Sequence, residues 1–174
     1  MMVPFGDYRP VVEGPVYLAP GSYLVGQVYL GPRVSVWYNA VLRADTAEIR
    51  VGAETNIQDG CVLHVDGSTP TILGRGVTVG HRSIVHGADV ADEVFIGMGA
   101  ILMTGVKVGR HSIIGAGALL PEGMAVPERS VVVGVPARVV RSVRDEEIDT
   151  VIRGAIAHYR DLCQSLWSTD WGTD

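Results

Sequence analysis

The sequence predicts an all-β fold, a parallel β-helix of about six triangular coils closed by a C-terminal α-helix, and three observations carry that expectation. Aliphatic residues recur from Leu18 through Leu24, Leu30, Val36 and Leu42 to Val132, and fifteen of the eighteen intervals are six. Glycine follows the aliphatic residue at Gly31, Gly52, Gly74, Gly80, Gly97, Gly109 and Gly115, which random placement would not produce. The chain has 22 glycines and only 6% aromatic residues, a composition that suits short strands joined by tight turns.

A period of six fits neither the 3.6 of an α-helix nor a hairpin meander. It fits one short strand plus one corner, with the aliphatic side chain turned inward each time. Three hexads then close one coil, coils stack at the ~4.8 Å spacing of paired strands, and each buries its interior only against the next. The open end needs a cap. Ile148, Val151, Ile152, Ala155, Tyr159, Leu162 and Leu166 fall at three- and four-residue steps, predicting an amphipathic helix over Arg144 to Trp167 with Ser142 as N-cap. Gly134-Val135-Pro136-Ala137-Arg138 supplies the turn before it. The expected division is residues 1–140 as the β-helix and 141–174 as the helix and tail.

Composition bounds function. The 174 residues are 47% hydrophobic and 19% charged, as expected of one soluble domain with its own core. The net charge of −5 is spread without a basic cluster, which argues against nucleic acid as a partner. No stretch reaches the ~20 apolar residues of a membrane span and Met1 to Asp7 lacks a signal pattern, so no membrane and a cytoplasmic address are expected. Cys61 and Cys163 are far apart without CxxC spacing and read as packed thiols.

The departures from six lie at 42 to 51, 63 to 73 and 85 to 90. With those corner insertions removed, Arg43, His64 and His86 take equivalent positions in successive coils and form a ladder on one edge. Adjacent rungs are ~5 Å apart, close enough for two imidazole nitrogens to meet one metal at ~2.0–2.1 Å. His81 belongs to the preceding face of the triangle, so a neighbouring subunit of a cyclic homotrimer would have to deliver it. A single histidine at such a corner would ordinarily be a solvent-facing turn residue; the shared register makes these a set. Three imidazoles suit Zn2+, with Fe2+ or Co2+ as possible occupants, and leave a fourth position open, the catalytic pattern. His111 and His158 lack the register and read as surface or packing residues.

Arg43-Ala44-Asp45, Asn56-Ile57-Gln58-Asp59, His64, Gly80-His81 and His86-Gly87 together resemble the gamma-class carbonic anhydrases. These are hexapeptide-repeat proteins whose β-helix is left-handed, an exception to the usual crossover rule. The resemblance spans nearly the whole chain. It implies reversible hydration of CO2 to bicarbonate by a metal-bound hydroxide in a homotrimer with intersubunit metal sites, with His64, His81 and His86 as zinc ligands. It also implies that Gln58 and Asn56 hydrogen-bond the hydroxide or orient CO2, that Arg43 pairs with Asp45 across the interface, and that Tyr159 borders the site. The best-known active member carries glutamates in an acidic loop as a proton shuttle. Here Thr46 follows Asp45 and Asp66-Gly67-Ser68 makes a short corner, leaving Asp66 or Glu48 as weak substitutes.

Three rival readings stand beside this one. Hexapeptide-repeat acyltransferases use acyl-coenzyme A, often with one histidine as base. A catalytically silent metal-binding scaffold would keep the ligands without the chemistry. A metal-dependent thioester hydrolase would use the same hydroxide on a different substrate.

Overall fold

A computed structural model describes residues 1–164 and 166. Within it the chain winds as a parallel β-helix of about seven turns, one more than the hexads alone suggest. The additional turn comes from the N-terminal segment, where Met2–Val3 and Val11–Val12 pair in parallel with Tyr23–Leu30; Val12, six residues before Leu18 and paired with Leu30, continues the hexad and packs on the core, whereas Met2–Val3 carries none.

Each coil contributes to three flat faces. On the first face, Leu24, Leu42, Leu63, Val85, Leu102 and Leu120 are successive register partners. On the second, Leu30, Val51, Leu73, Val90, Val108 and Val126 stack in the same way. The third stacks Leu18, Val36, Ile57, Val79, Ile96, Ile114 and Val132. All of these hexad residues are buried except Leu18, which lies at the N-terminal end and is partly covered. The inward aliphatic of every hexad is therefore the core, and its neighbours on either side point outward by the two-residue alternation of a strand. Cys61 and Cys163 are both buried thiols.

The parallel stack ends in an antiparallel hairpin, Ser130–Gly134 with Ala137–Ser142. The helical segment follows as Asp145–Glu147, a wide π-type stretch Ile148–Arg153, and Gly154–Cys163. Ser142 is not its N-cap. It is the last residue of the hairpin strand, and Arg144 takes the cap position, its backbone amide donating to Glu147 at 3.0 Å. The far end of the expected helix, Trp167, lies outside the described residues.

The apolar stripe is correct at its start and slips at its end. Ile148, Ile152 and Ile156 pack against Phe95, Ile113, Val131 and Val143, which lays the helix along the third face of its own β-helix. Leu162 and Leu166 are exposed, and the buried position in the last turn is Cys163. The π-type stretch explains the slip: closing i→i+5 instead of i→i+4 accommodates one extra residue and rotates the following face by that residue. Glu93 fastens the helix to the coil, meeting Arg153 at 3.2 Å and His111 at 2.7 Å. Among the described residues no helix is long and apolar enough to cross a membrane.

Candidate metal centre

Strands Val62–His64 and Ile84–His86 sit on adjacent rungs of the first face, and Arg43, His64 and His86 are register partners as the repeat spacing requires. With Leu63 and Val85 turned into the core, both imidazoles point outward side by side. His64 Nδ1 and His86 Nε2 face each other at 3.1 Å.

The remaining ring nitrogens decide what that contact is. His64 Nε2 lies 3.0 Å from Asp45 Oδ1, and an ionised carboxylate only accepts, so Nε2 carries the proton. Burial pushes the Asp45 carboxyl up, but the hydrogen bond from His64 and the Arg43 charge outweigh it and hold the group below its ordinary value. His86 Nδ1 lies 3.0 Å from Thr104 Oγ1, and the Thr104 hydroxyl donates its one proton to Asp66 Oδ2 at 3.2 Å. The threonine oxygen is left to accept, so His86 Nδ1 is also protonated. With both rings neutral, the two facing nitrogens each present a lone pair, an arrangement that only a proton or a cation between them relieves. Two ligands of a tetrahedral ion at ~2.0–2.1 Å stand ~3.3 Å apart, close to the spacing found. The donor set fits a metal.

His81 follows the same pattern from a different corner. Its Nδ1 meets Asp59 Oδ2 at 2.8 Å, so Nε2 is free, and its side chain is 43% exposed. It does not join the other two within one chain: among the described residues no group of three His, Cys, Asp or Glu is placed to hold one ion.

Asn56 and Gln58 flank the inward Ile57 on the third face and are buried there. Gln58 Nε2 donates to Asn56 Oδ1 at 3.0 Å, Asn56 Nδ2 donates to Thr78 Oγ1 at 2.9 Å, and Gln58 Oε1 accepts the His81 backbone amide at 3.3 Å. Gln58, His81 and Tyr159 line one cavity of about 400 Å³, whose walls are mainly apolar and include Phe95, Met98 and Ile113. Tyr159 packs edge-on against Trp37 at 5.4 Å; burial, and then the negative charge of Asp59, push its hydroxyl above its ordinary value. Arg43 and Asp45 lie on the same side of strand Val41–Val51 and hydrogen-bond within the chain, so this pair does not need a second subunit to form. His111 serves the Glu93 cluster and His158 packs on Tyr159.

Three further residues at this site carried no signal when read singly. Asp59 pairs with His81, Thr104 with His86, and buried Thr71 donates to the His64 carbonyl while accepting the Gly87 amide at 2.9 Å. The 22-residue offset of the paired rungs would have flagged Asp59 beneath His81. Thr71 ties the two histidine rungs together beside the direct 3.1 Å bond from the Gly87 amide to the His64 carbonyl; Thr71→Val leaves that bond in place, so it is expected to cost about 0.5–1.5 kcal/mol in urea denaturation. An unchanged midpoint would show that the hydroxyl braces nothing.

Comparison with known proteins places these features among relatives. Residues 87–121 match the family model described as bacterial transferase hexapeptide (six repeats). A Methanocaldococcus jannaschii protein named "Probable carbonic anhydrase" is 45% identical over 88% of this chain and 96% of its own length. The Arabidopsis thaliana protein "Gamma carbonic anhydrase 1, mitochondrial" is 41% identical over 91% of this chain, which spans 60% of that protein's length. Among solved structures, a hexapeptide transferase family protein from Anaplasma phagocytophilum superposes with a TM-score of 0.90 at 33% identity, covering 95% of this chain and 97% of that one.

Proposed function

The chain belongs to the gamma-class carbonic anhydrase family of hexapeptide-repeat proteins, and from that premise we propose that it catalyses the reversible hydration of CO2 to bicarbonate at a metal site completed between subunits. The observation that carries the reading is the pair of facing lone pairs on His64 and His86, each ring fixed from behind by an acceptor. His64 and His86 would hold the ion from one subunit and His81 from the next, with zinc the first choice for three imidazoles. As in carbonic anhydrases generally, bound zinc supplies a hydroxide nucleophile at neutral pH by lowering the pKa of its water to ~7.

The protein's own groups do the rest. Asp45, Asp59 and the Thr104–Asp66 pair each hold one ring nitrogen protonated, so the other nitrogen of each histidine stays available. Gln58 and Asn56, locked to each other and to the His81 backbone, present fixed amide dipoles that orient the reactants. The mainly apolar cavity beside Gln58 and His81 suits CO2, which has no charge or dipole to satisfy, better than it suits water.

A trimer is part of this proposal, and the first face supports it. Tyr23, Val41, Val62, Ile84, Ile101 and Leu119 form an outward apolar ladder in register, and Val62 and Ile84 are 38% and 37% exposed beside the histidines. A continuous apolar stripe of this kind calls for cover by another subunit. The cytoplasmic address is part of the proposal only; the two Arabidopsis thaliana relatives are mitochondrial by name.

The transferase neighbours share the fold. An acyltransferase built on one histidine would not account for three histidines each braced by its own acceptor. Stopped-flow CO2 hydration on protein loaded in turn with zinc, cobalt and anaerobic ferrous iron tests the reading, with a parallel coenzyme A titration. Metal-dependent hydration without coenzyme A binding is expected; saturable coenzyme A binding with no hydration under any metal would overturn it.

A further inference from the structure

The three histidines are not braced alike. Asp45 and Asp59 touch His64 and His81 directly, whereas His86 reaches its carboxylate only through a hydroxyl. Three different coils build that connection. Asp66 flanks the two-residue turn Gly67-Ser68 after His64 and closes it by reciprocal backbone hydrogen bonds with Thr69 of 2.7 and 3.2 Å. Thr104 comes from the turn after strand Ile101–Leu102. Gly87 lies between them with φ +58°, and a Cβ there would meet Thr104 Cγ2 at 3.3 Å, Thr69 Cγ2 at 3.4 Å and Asp66 Cβ at 3.6 Å. This glycine leaves just enough room for Thr104 and Asp66 to close on the histidine.

We propose that Thr104 and Asp66 are positioning residues that fix His86 in its Nδ1-protonated form and thereby aim its Nε2 lone pair at the space shared with His64. The inference rests on the metal-site reading above. The reasoning is a count of protons. A threonine hydroxyl has one hydrogen, and a carboxylate can only accept, so Asp66 claims that hydrogen and obliges the Thr104 oxygen to accept from His86. Asp66 thus sets the direction of the relay without touching the imidazole. Without the hydroxyl, His86 Nδ1 has no acceptor and the ring is free to carry its proton on Nε2, where it would block ligation.

Thr104→Val keeps the shape of the side chain and removes the oxygen; Thr104→Ser keeps the oxygen. Long-range 1H–15N correlation on metal-free, 15N-histidine-labelled protein reads the tautomer directly. Wild type and Thr104→Ser are expected to show His86 protonated at Nδ1, and Thr104→Val at Nε2. Titration with Co2+ followed by visible absorption should show binding about 10–100-fold weaker in Thr104→Val and restored in Thr104→Ser. An Nδ1-protonated His86 with wild-type Co2+ affinity in Thr104→Val would overturn the proposal. If wild type itself took up no Co2+, the metal reading would fail separately, and the tautomer of the metal-free variants would still decide the role of Thr104.

Discussion

Replacing His64 with alanine is expected to remove the bound metal and lower kcat/KM for CO2 hydration by about 10³-fold or more, about 4 kcal/mol of transition-state stabilisation. The effect should fall mainly on chemistry. The His64 side chain is only 21% exposed, but its carbonyl stays braced by Thr71, and Asp45 retains Arg43 when the imidazole goes. Loss of this partly buried side chain is expected to cost about 1 kcal/mol, the centre of the range for single substitutions. Metal content by atomic emission and the thermal midpoint, measured on the same preparation, separate the two effects. Loss of metal with a midpoint lowered by no more than about 2–4 °C is the expected result; full metal content with full hydration would remove His64 from the site.

The largest structural effect is expected where one coil's backbone presses on the next. Gly52 follows the inward Val51, and a Cβ built on it would stand 2.5 Å from the Gly74 carbonyl carbon and 2.6 Å from the Arg75 nitrogen. Those are backbone atoms of the adjacent rung, which cannot swing aside as a side chain can. Gly52→Ala therefore has to pry two coils apart, at a cost of about 3 kcal/mol, the upper end of ordinary overpacking. For a chain of this size that lowers Tm by roughly 6–12 °C. Gly117→Ala is the control: nothing lies within 4 Å of its Cβ, and only its φ of +67° is penalised, at about 1 kcal/mol. Equal shifts for the two variants would show that contact between coils is not what selects glycine after the hexad aliphatic.

The sequence was most legible where a residue obeys the repeat. Each hexad aliphatic from Leu24 onward is buried, and the His64–His86 rung follows from the same spacing once the corner insertions are removed. Legibility failed where the period stops. Met2–Val3 adds a rung by backbone pairing without a hexad aliphatic, and Val12, one hexad before Leu18, is a single isolated match that the repeat extends to only once its pairing with Leu30 is seen. The apolar stripe departs from the expected Leu162 because a π-type stretch shifts the buried face to Cys163, and helical periodicity assumes uninterrupted 3.6-residue turns. At the site, the residues that act from behind the histidines are ordinary Asp and Thr positions whose role appears only when rungs are stacked. Arg43 and Asp45 meet within one chain because alternate residues of an extended strand share a side and the arginine is long enough to reach back.

The central claim, that one ion takes His64 and His86 from one subunit and His81 from another, is tested most directly by mixing subunits. His64→Ala and His81→Ala proteins are each expected to bind no metal and to be inactive. After unfolding together in equal amounts and reassembling, about three-quarters of the trimers are mixed, and each mixed cyclic trimer rebuilds one intact site of three. Metal content and hydration should therefore return to about a quarter of the wild-type value. Mixed trimers that form, as shown by mass spectrometry of the reassembled protein, yet recover neither metal nor activity would contradict the shared site.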